Sequence, residues 1–109
     1  MPGEGVRLKE SELYEMTNKE AITSVSDAMK LANHYAIYRF DITNGIKYWK
    51  IAANLGSAIA AYNVGQCYST YSNIYDPEEA EHWYAVAVKL GYTNAAEKIK
   101  ELHTLHRVP

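Results

Sequence analysis

Gly45-Ile-Lys-Tyr48-Trp49-Lys-Ile-Ala52-Ala53-Asn-Leu55-Gly56-Ser57-Ala-Ile-Ala60, running on to Val64-Gly65-Gln-Cys67-Tyr68, decides the fold because the chain writes it twice. The second copy is Ala80-Glu-His-Trp83-Tyr84-Ala-Val-Ala87-Val-Lys-Leu90-Gly91-Tyr-Thr-Asn-Ala95, ending Lys98-Ile99-Lys-Glu-Leu102. A shift of 35 lays Tyr48 on Trp83, Trp49 on Tyr84, Ala52 on Ala87, Leu55 on Leu90, Gly56 on Gly91, Ala60 on Ala95 and Val64 on Ile99. A fixed period in this range marks a repeat architecture. Within one copy, Gly45, Tyr48, Ala52 and Leu55 recur at three- and four-residue steps, which is one face of an α-helix. Gly56 ends that helix, since glycine takes the left-handed conformation that closes helices. Ser57 is placed to cap a second helix, whose apolar positions are Ala60, Ala61, Val64, Cys67 and Tyr68. Each copy therefore reads as helix, tight turn, helix. The facing positions are small (Ala52, Ala53, Ala60, Ala61 and Gly65, then Ala87, Ala95 and Ala96), so helix axes can approach closely. Tyr48, Trp49, Trp83 and Tyr84 fill the wider gaps between pairs. Helices this short are marginal alone in water. The pairs must stack, with a stability close to a sum of nearest-neighbour terms.

Upstream the pattern is looser. Ser11-Glu-Leu-Tyr-Glu starts a helix carrying Leu13 and Met16, and Thr17-Asn-Lys-Glu20 is a capping box at which it can break and restart. A further helix begins near Ser24 or Ser26, with the stripe Ala28, Leu31, Ala32, Tyr35 and Tyr38. At a shift of 33, Ala28 falls on Ala61, Leu31 on Val64, Ala32 on Gly65 and Tyr35 on Tyr68. The expected architecture is all-α, about three antiparallel helix pairs in a single domain over 10–103: a degenerate pair at 10–40, a repeat at 41–69 and a repeat at 76–103. Residues 1–9 carry Pro, Gly and charge and read as disordered. Residues 104–109 read as a frayed tail. Asp41 is an N-cap for the helix reaching Leu55. Asp76-Pro77-Glu78-Glu79 is the sharpest local signal: Asp caps, Pro takes the first helical position, and two Glu face the positive helix end.

The 109 residues carry a net charge of −2, with 22% charged and 48% apolar residues. That balance suits a globular domain and gives no general basic footprint for nucleic acid. No apolar run approaches the length of a membrane span, and the first residues lack the apolar core of a secretion signal. The chain therefore reads as cytoplasmic. Cys67 is the only cysteine, so no internal disulfide forms. Ten of the thirteen aromatics are tyrosine, a ring with a polar tip that suits half-wet surfaces. Inter-repeat packing accounts for Tyr35, Tyr48, Tyr68 and Tyr84. Tyr38, Tyr71 and Tyr75 lie off the core positions.

Ala80-x-x-Trp83-Tyr84-x-x-Ala87-x-x-x-Gly91-x-x-x-Ala95-x-x-x-Ile99 resembles the Sel-one-like repeat, an α/α solenoid unit related to the tetratricopeptide repeat. Gly45 through Tyr68 is similar to it, including Ala52-Ala53 and Val64-Gly65, and Asp76 to Ala80 resembles its inter-repeat helix start. The family's inter-repeat loop is usually glycine-rich, and Ser69 to Tyr75 has no glycine. The resemblance implies a short right-handed superhelix with a concave surface, an adaptor or scaffold role, and no catalytic residue.

Chemistry is sparse. His103 and His106 stand three apart, but structural zinc takes four ligands and no cysteine is near. They read as exposed terminal histidines. His34 and Cys67 occupy equivalent inner positions, which a Cys–His nucleophile pair would also suit. No phosphate loop or zinc-protease motif is present, and no cofactor is expected. Glu78, Glu79 and Glu81 read as a solvated face, and Arg39, Lys47 and Lys50 are too few for nucleic acid. The leading expectation is a non-catalytic protein-binding module, monomeric or weakly dimeric, contacting its partner through Tyr38, Arg39, Lys47, Lys50, Tyr71 and Tyr75. A bacterial immunity protein that neutralises a toxin is a sharper form of it. The alternative is a structural piece of a longer solenoid, or a homodimer through Ile99, Leu102 and Leu105.

Overall fold

The computed structural model describes residues 3–105, whose regular elements are all helical, with no strand among them. The helices are α1 (Glu10–Thr17), α2 (Val25–Asn33), α3 (Ile42–Asn54), α4 (Ala58–Thr70), α5 (Pro77–Lys89) and α6 (Ala95–Leu105). Short 3₁₀ turns lie at Glu4–Val6 and Ser72–Ile74, and a π-helical turn at His34–Tyr38 prolongs α2.

The two copies of the repeated phrase begin and end alike. The Asp41 carboxylate accepts the Asn44 N–H at 3.1 Å, and the Asp76 carboxylate accepts that of Glu79 at 3.1 Å. From these caps run α3 and α5, each 13 residues long. Both then stop at a glycine of positive φ, 109° at Gly56 and 110° at Gly91. The closing bonds also match: Gly56 N–H to the Ala53 carbonyl and Ser57 N–H to that of Ala52, then Gly91 to Val88 and Tyr92 to Ala87. This is the Schellman closure, in which two orphan carbonyls of the last turn are satisfied by the glycine and the residue after it. Ser57 then caps α4 through the Ala60 N–H at 3.1 Å, as Ser24 caps α2 through that of Asp27 at 3.0 Å.

Packing runs along the chain. α2 packs on α3, α3 on α4, α4 on α5 and α5 on α6. The described structure is accordingly elongated, 52 × 27 × 23 Å with a radius of gyration of 14.7 Å, against about 13 Å for a globular domain of this length. The core is a row of small residues, with Ala28, Ala52, Ala60, Ala61, Ala80, Ala87 and Ala95 fully buried. Two closest approaches use glycine. A Cβ on Gly45 would lie 2.5 Å from Ala36 Cβ, and one on Gly65 would lie 2.7 Å from the Tyr84 ring. Beside each contact sits a repeated polar device. Trp49 Nε1 donates to Asn33 Oδ1 at 3.3 Å, and the Tyr84 hydroxyl donates to Gln66 Oε1. Asn33 and Gln66 are equivalent at the 33-residue shift, as Trp49 and Tyr84 are at 35. In each case an amide receives the polar edge of the aromatic from the next helix.

Three features depart from the sequence reading. Leu55, placed on the buried stripe, is 41% exposed, and its counterpart Leu90 is 39% exposed. Both sit at the helix C-cap, where the chain turns away. The stripe of α2 does not run straight to Tyr38, because the π-helical turn brings His34 and Ala36 inside and leaves Tyr35 and Tyr38 half-buried. α6 continues to Leu105, two residues past the expected end. The segment before α1, where composition offered little to bury, meets the rest of the molecule through Leu8, which is buried. Residues 1–2 and 106–109, including the outer parts of the expected disordered lead-in and frayed tail, lie outside the described residues.

Candidate functional site

Two hollows open beside α3 and α4. One is a groove of about 360 Å³. Its lining includes the buried Trp49 and Cys67, the amides of Asn63 and Gln66, and Ile37 and Tyr71, which are nearly half exposed. The other is a hollow of about 430 Å³ bounded by Thr43, Ile46, Lys47, Lys50, Tyr68 and Ile74.

The second hollow contains two of the sequence-predicted residues. The Lys50 ammonium donates to the Tyr68 hydroxyl at 2.9 Å. It also lies 5.1 and 5.7 Å from the ring centres of Tyr68 and Trp83. Lys47 lies 5.2 Å from the ring centre of Tyr48. Such cation–π contacts hold an ammonium in place without neutralising it. Neither lysine is ion-paired to a carboxylate among the described residues.

The other four candidates separate. Tyr71 lines the first groove. Tyr75 is 43% exposed just before the Asp76 cap. Tyr38 is engaged from within: it stacks on His34 with centroids 5.5 Å apart, and the Arg7 guanidinium lies 5.6 Å from its ring centre. Arg39 is exposed, and its charge acts on His34 and Asp41. The six residues thus border different parts of the molecule rather than one patch.

Sequence reasoning passed over Phe40, which is 82% exposed. Its φ is +54°, the only positive value at a non-glycine residue among those described. That conformation costs about 1 kcal/mol or more outside glycine. A signal was present: Phe40 precedes the Asp41 cap as Tyr75 precedes the Asp76 cap, 35 residues later. An apolar residue there commonly grips the fourth residue of the helix. In both units that residue is too small to grip, being Gly45 and Ala80, so both rings stay outside.

The residues weighed for chemistry are otherwise occupied. Burial pushes the Cys67 thiol up to about 11, so it stays protonated and a poor nucleophile near neutrality. His34 Nδ1 accepts the Leu8 N–H at 2.9 Å, and its Nε2 is enclosed without a partner among the described residues, so it does not bond Cys67. His103 Nε2 meets Glu81 and ties α6 to α5, and His106 lies outside the described residues. No group of three or more His, Cys, Asp or Glu among the described residues is placed to hold a metal. None of the described helices is long and apolar enough to cross a membrane. No family model matches the chain, and neither a curated protein nor a solved structure matches it significantly.

Proposed function

We propose that the chain is a short α/α solenoid of the Sel-one-like type, acting in the cytoplasm as a non-catalytic adaptor or inhibitor of a partner protein. The matching caps, glycine closures and aromatic–amide contacts of the two units support the repeat reading. So does the neighbour-on-neighbour order of the helices. One observation carries the binding reading. Phe40 holds a strained backbone while leaving its ring in water, in the loop between Ile37 and Ile42, two residues that line the Trp49 groove. The strain opposes folding and the exposed ring returns nothing to it, so contact with a partner accounts for keeping both. Lys47 and Lys50 add unneutralised charge that suits an acidic stretch of that partner. The sharper form, an immunity protein bound to a toxin, is decided by rescue of toxin-expressing cells.

The test separates binding from folding. Phe40→Gly removes the ring and relieves the positive φ, so it leaves stability unchanged or raised. Combined with Tyr71→Ala, it is expected to weaken affinity for a captured partner by at least tenfold, as loss of aromatic anchors does. Unchanged affinity in this well-folded double variant would refute the assignment. A homodimer is the second reading, favoured by Leu105, which is 67% exposed on α6. A mass that rises with concentration in light scattering, and stops rising in Leu105→Glu, would decide for it.

A further inference from the structure

We infer that residues 3–9 form a strap across the first helix pair, latched through His34, and that the strap opens when His34 takes up a proton. The latch is a single bond of defined polarity. The Leu8 N–H donates to His34 Nδ1 at 2.9 Å across 26 residues of sequence, so Nδ1 must carry a lone pair and the ring's one proton sits on Nε2. A second proton has only Nδ1 to occupy. It converts the acceptor into a donor facing another donor, and the bond is lost.

Among the described residues the resulting cation meets no acceptor at Nε2 and lies against the rings of Tyr35 and Tyr38. His34 is 3% exposed. On its own π-helical turn it has Tyr38 and, just beyond, Arg39, and Arg7 faces it from the strap. The nearby ionisable groups on the other packed elements are spent or apart: Glu12 of α1 accepts the Lys9 N–H, Lys30 of α2 lines a hollow with Glu12 and Arg7, and Asp41 before α3 is bonded to Asn44. Burial first, then Arg39 and Arg7, hold His34 below the ordinary histidine value of 6.5.

Three contacts ride on the latch. Leu8 is buried, the Arg7 guanidinium covers the Tyr38 ring, and Gly3 sits so close to the Ile37–Tyr38 backbone that a Cβ would lie 3.1 Å from the Ile37 carbonyl. Opening the strap therefore uncovers Tyr38 and the π-helical turn. The rest of the stack, which α3 to α6 build without the strap, stays in place.

The sign follows from linkage. Because the latched ring binds protons less readily than the open one, the strap keeps its full stability above pH 6.5. As pH falls from there towards the lowered value, stability is lost by up to about tenfold in the opening equilibrium per pH unit. Below the lowered value it levels off.

The test is amide hydrogen exchange on the whole chain, corrected for intrinsic rates, with the His34 tautomer read by ¹⁵N NMR. The expected result is an Nε2–H tautomer at neutral pH and a Leu8 protection factor that falls as pH drops below 6.5, while Ala52 and Val64 stay protected. His34→Gln offers an amide oxygen to Leu8 and cannot titrate, so its protection is expected to be flat over the same range. Arg39→Ala, at an exposed position, removes one cause of the lowering, so it is expected to narrow the pH window and lessen the loss of Leu8 protection in acid, and it remains informative if His34→Gln misfolds. A Leu8 amide whose protection ignores pH, an Nδ1–H tautomer, or an acid loss of protection as large in Arg39→Ala as in the parent chain would overturn the inference. The outcome is independent of whether any partner binds.

Discussion

Replacing Tyr84 with alanine is expected to remove about 3–5 kcal/mol of stability, the range for deleting a fully buried aromatic. Tyr84 is 1% exposed and is the largest fully buried side chain among the described residues. Its ring lies against Gly65 across the α4–α5 contact, and it also meets Tyr62, with centroids 5.6 Å apart. Its hydroxyl bonds Gln66 and lies 2.9 Å from Ser69. Burial raises the phenol above its ordinary value, so it remains a neutral donor at pH 7. Tyr84→Phe keeps the ring and is expected to cost only about 1 kcal/mol, the worth of the lost hydrogen bond. Urea denaturation of the two variants measures the difference. A loss of that size is a large fraction of the total stability of a domain this small. If stability is a sum over neighbours, the loss should also uncouple the two ends: amides of α5 and α6 should exchange faster than those of α2 and α3. Equal acceleration along the whole chain would contradict that part.

Gly45→Val is expected to cost on the order of 3 kcal/mol, at the upper end of over-packing penalties. On an exposed helix surface, adding a methyl to glycine stabilises by about 1 kcal/mol. At Gly45 the sign reverses, because the first added carbon would already lie 2.5 Å from Ala36 Cβ and 3.1 Å from Ala36 Cα. The obstruction includes backbone, so no rotamer change relieves it. A reciprocal swap isolates the cause. Gly45→Ala alone should destabilise, and Ala36→Gly in the same chain should recover most of the loss relative to Ala36→Gly alone. A double-mutant cycle by chemical denaturation reads this coupling. Additive effects would mean that α3 and the π-helical turn do not meet at this point.

The features legible in the sequence were the local and periodic ones. Gly56 and Gly91 could be read as helix stops because a left-handed residue after a helix has one favoured occupant. Asp41, Asp76 and Ser57 could be read as caps because their side chains act three residues away. Ala52, Trp49 and Tyr84 could be read as core because their spacing follows the helix period. The π-helical turn at His34–Tyr38 could not be read, since one wide turn leaves the three- and four-residue pattern nearly intact while moving His34 and Ala36 inward. Leu55 and Leu90 satisfied the period but sit where the helix ends, so the pattern overreached by one position. The Leu8–His34 bond joins residues 26 apart with no periodic trace. Of the candidate site, Lys47 and Lys50 stand three apart on α3 and line one hollow. Tyr38 was set off the core positions, and the Arg7 and Gly3 contacts that meet it leave no trace in the spacing. Phe40 was passed over because it lies in a short loop, although the recurrence of an aromatic before each Asp cap marked it.

An experimental structure in which residues 41–68 are overlaid on 76–103 tests the repeat most directly. The account predicts that α3 with α4 falls on α5 with α6 helix for helix, that Gly56 and Gly91 share one left-handed conformation, and that Asn33–Trp49 and Gln66–Tyr84 occupy the same place in successive interfaces. Two units whose helices cross at different angles, or a glycine turn of another type in either copy, would contradict it.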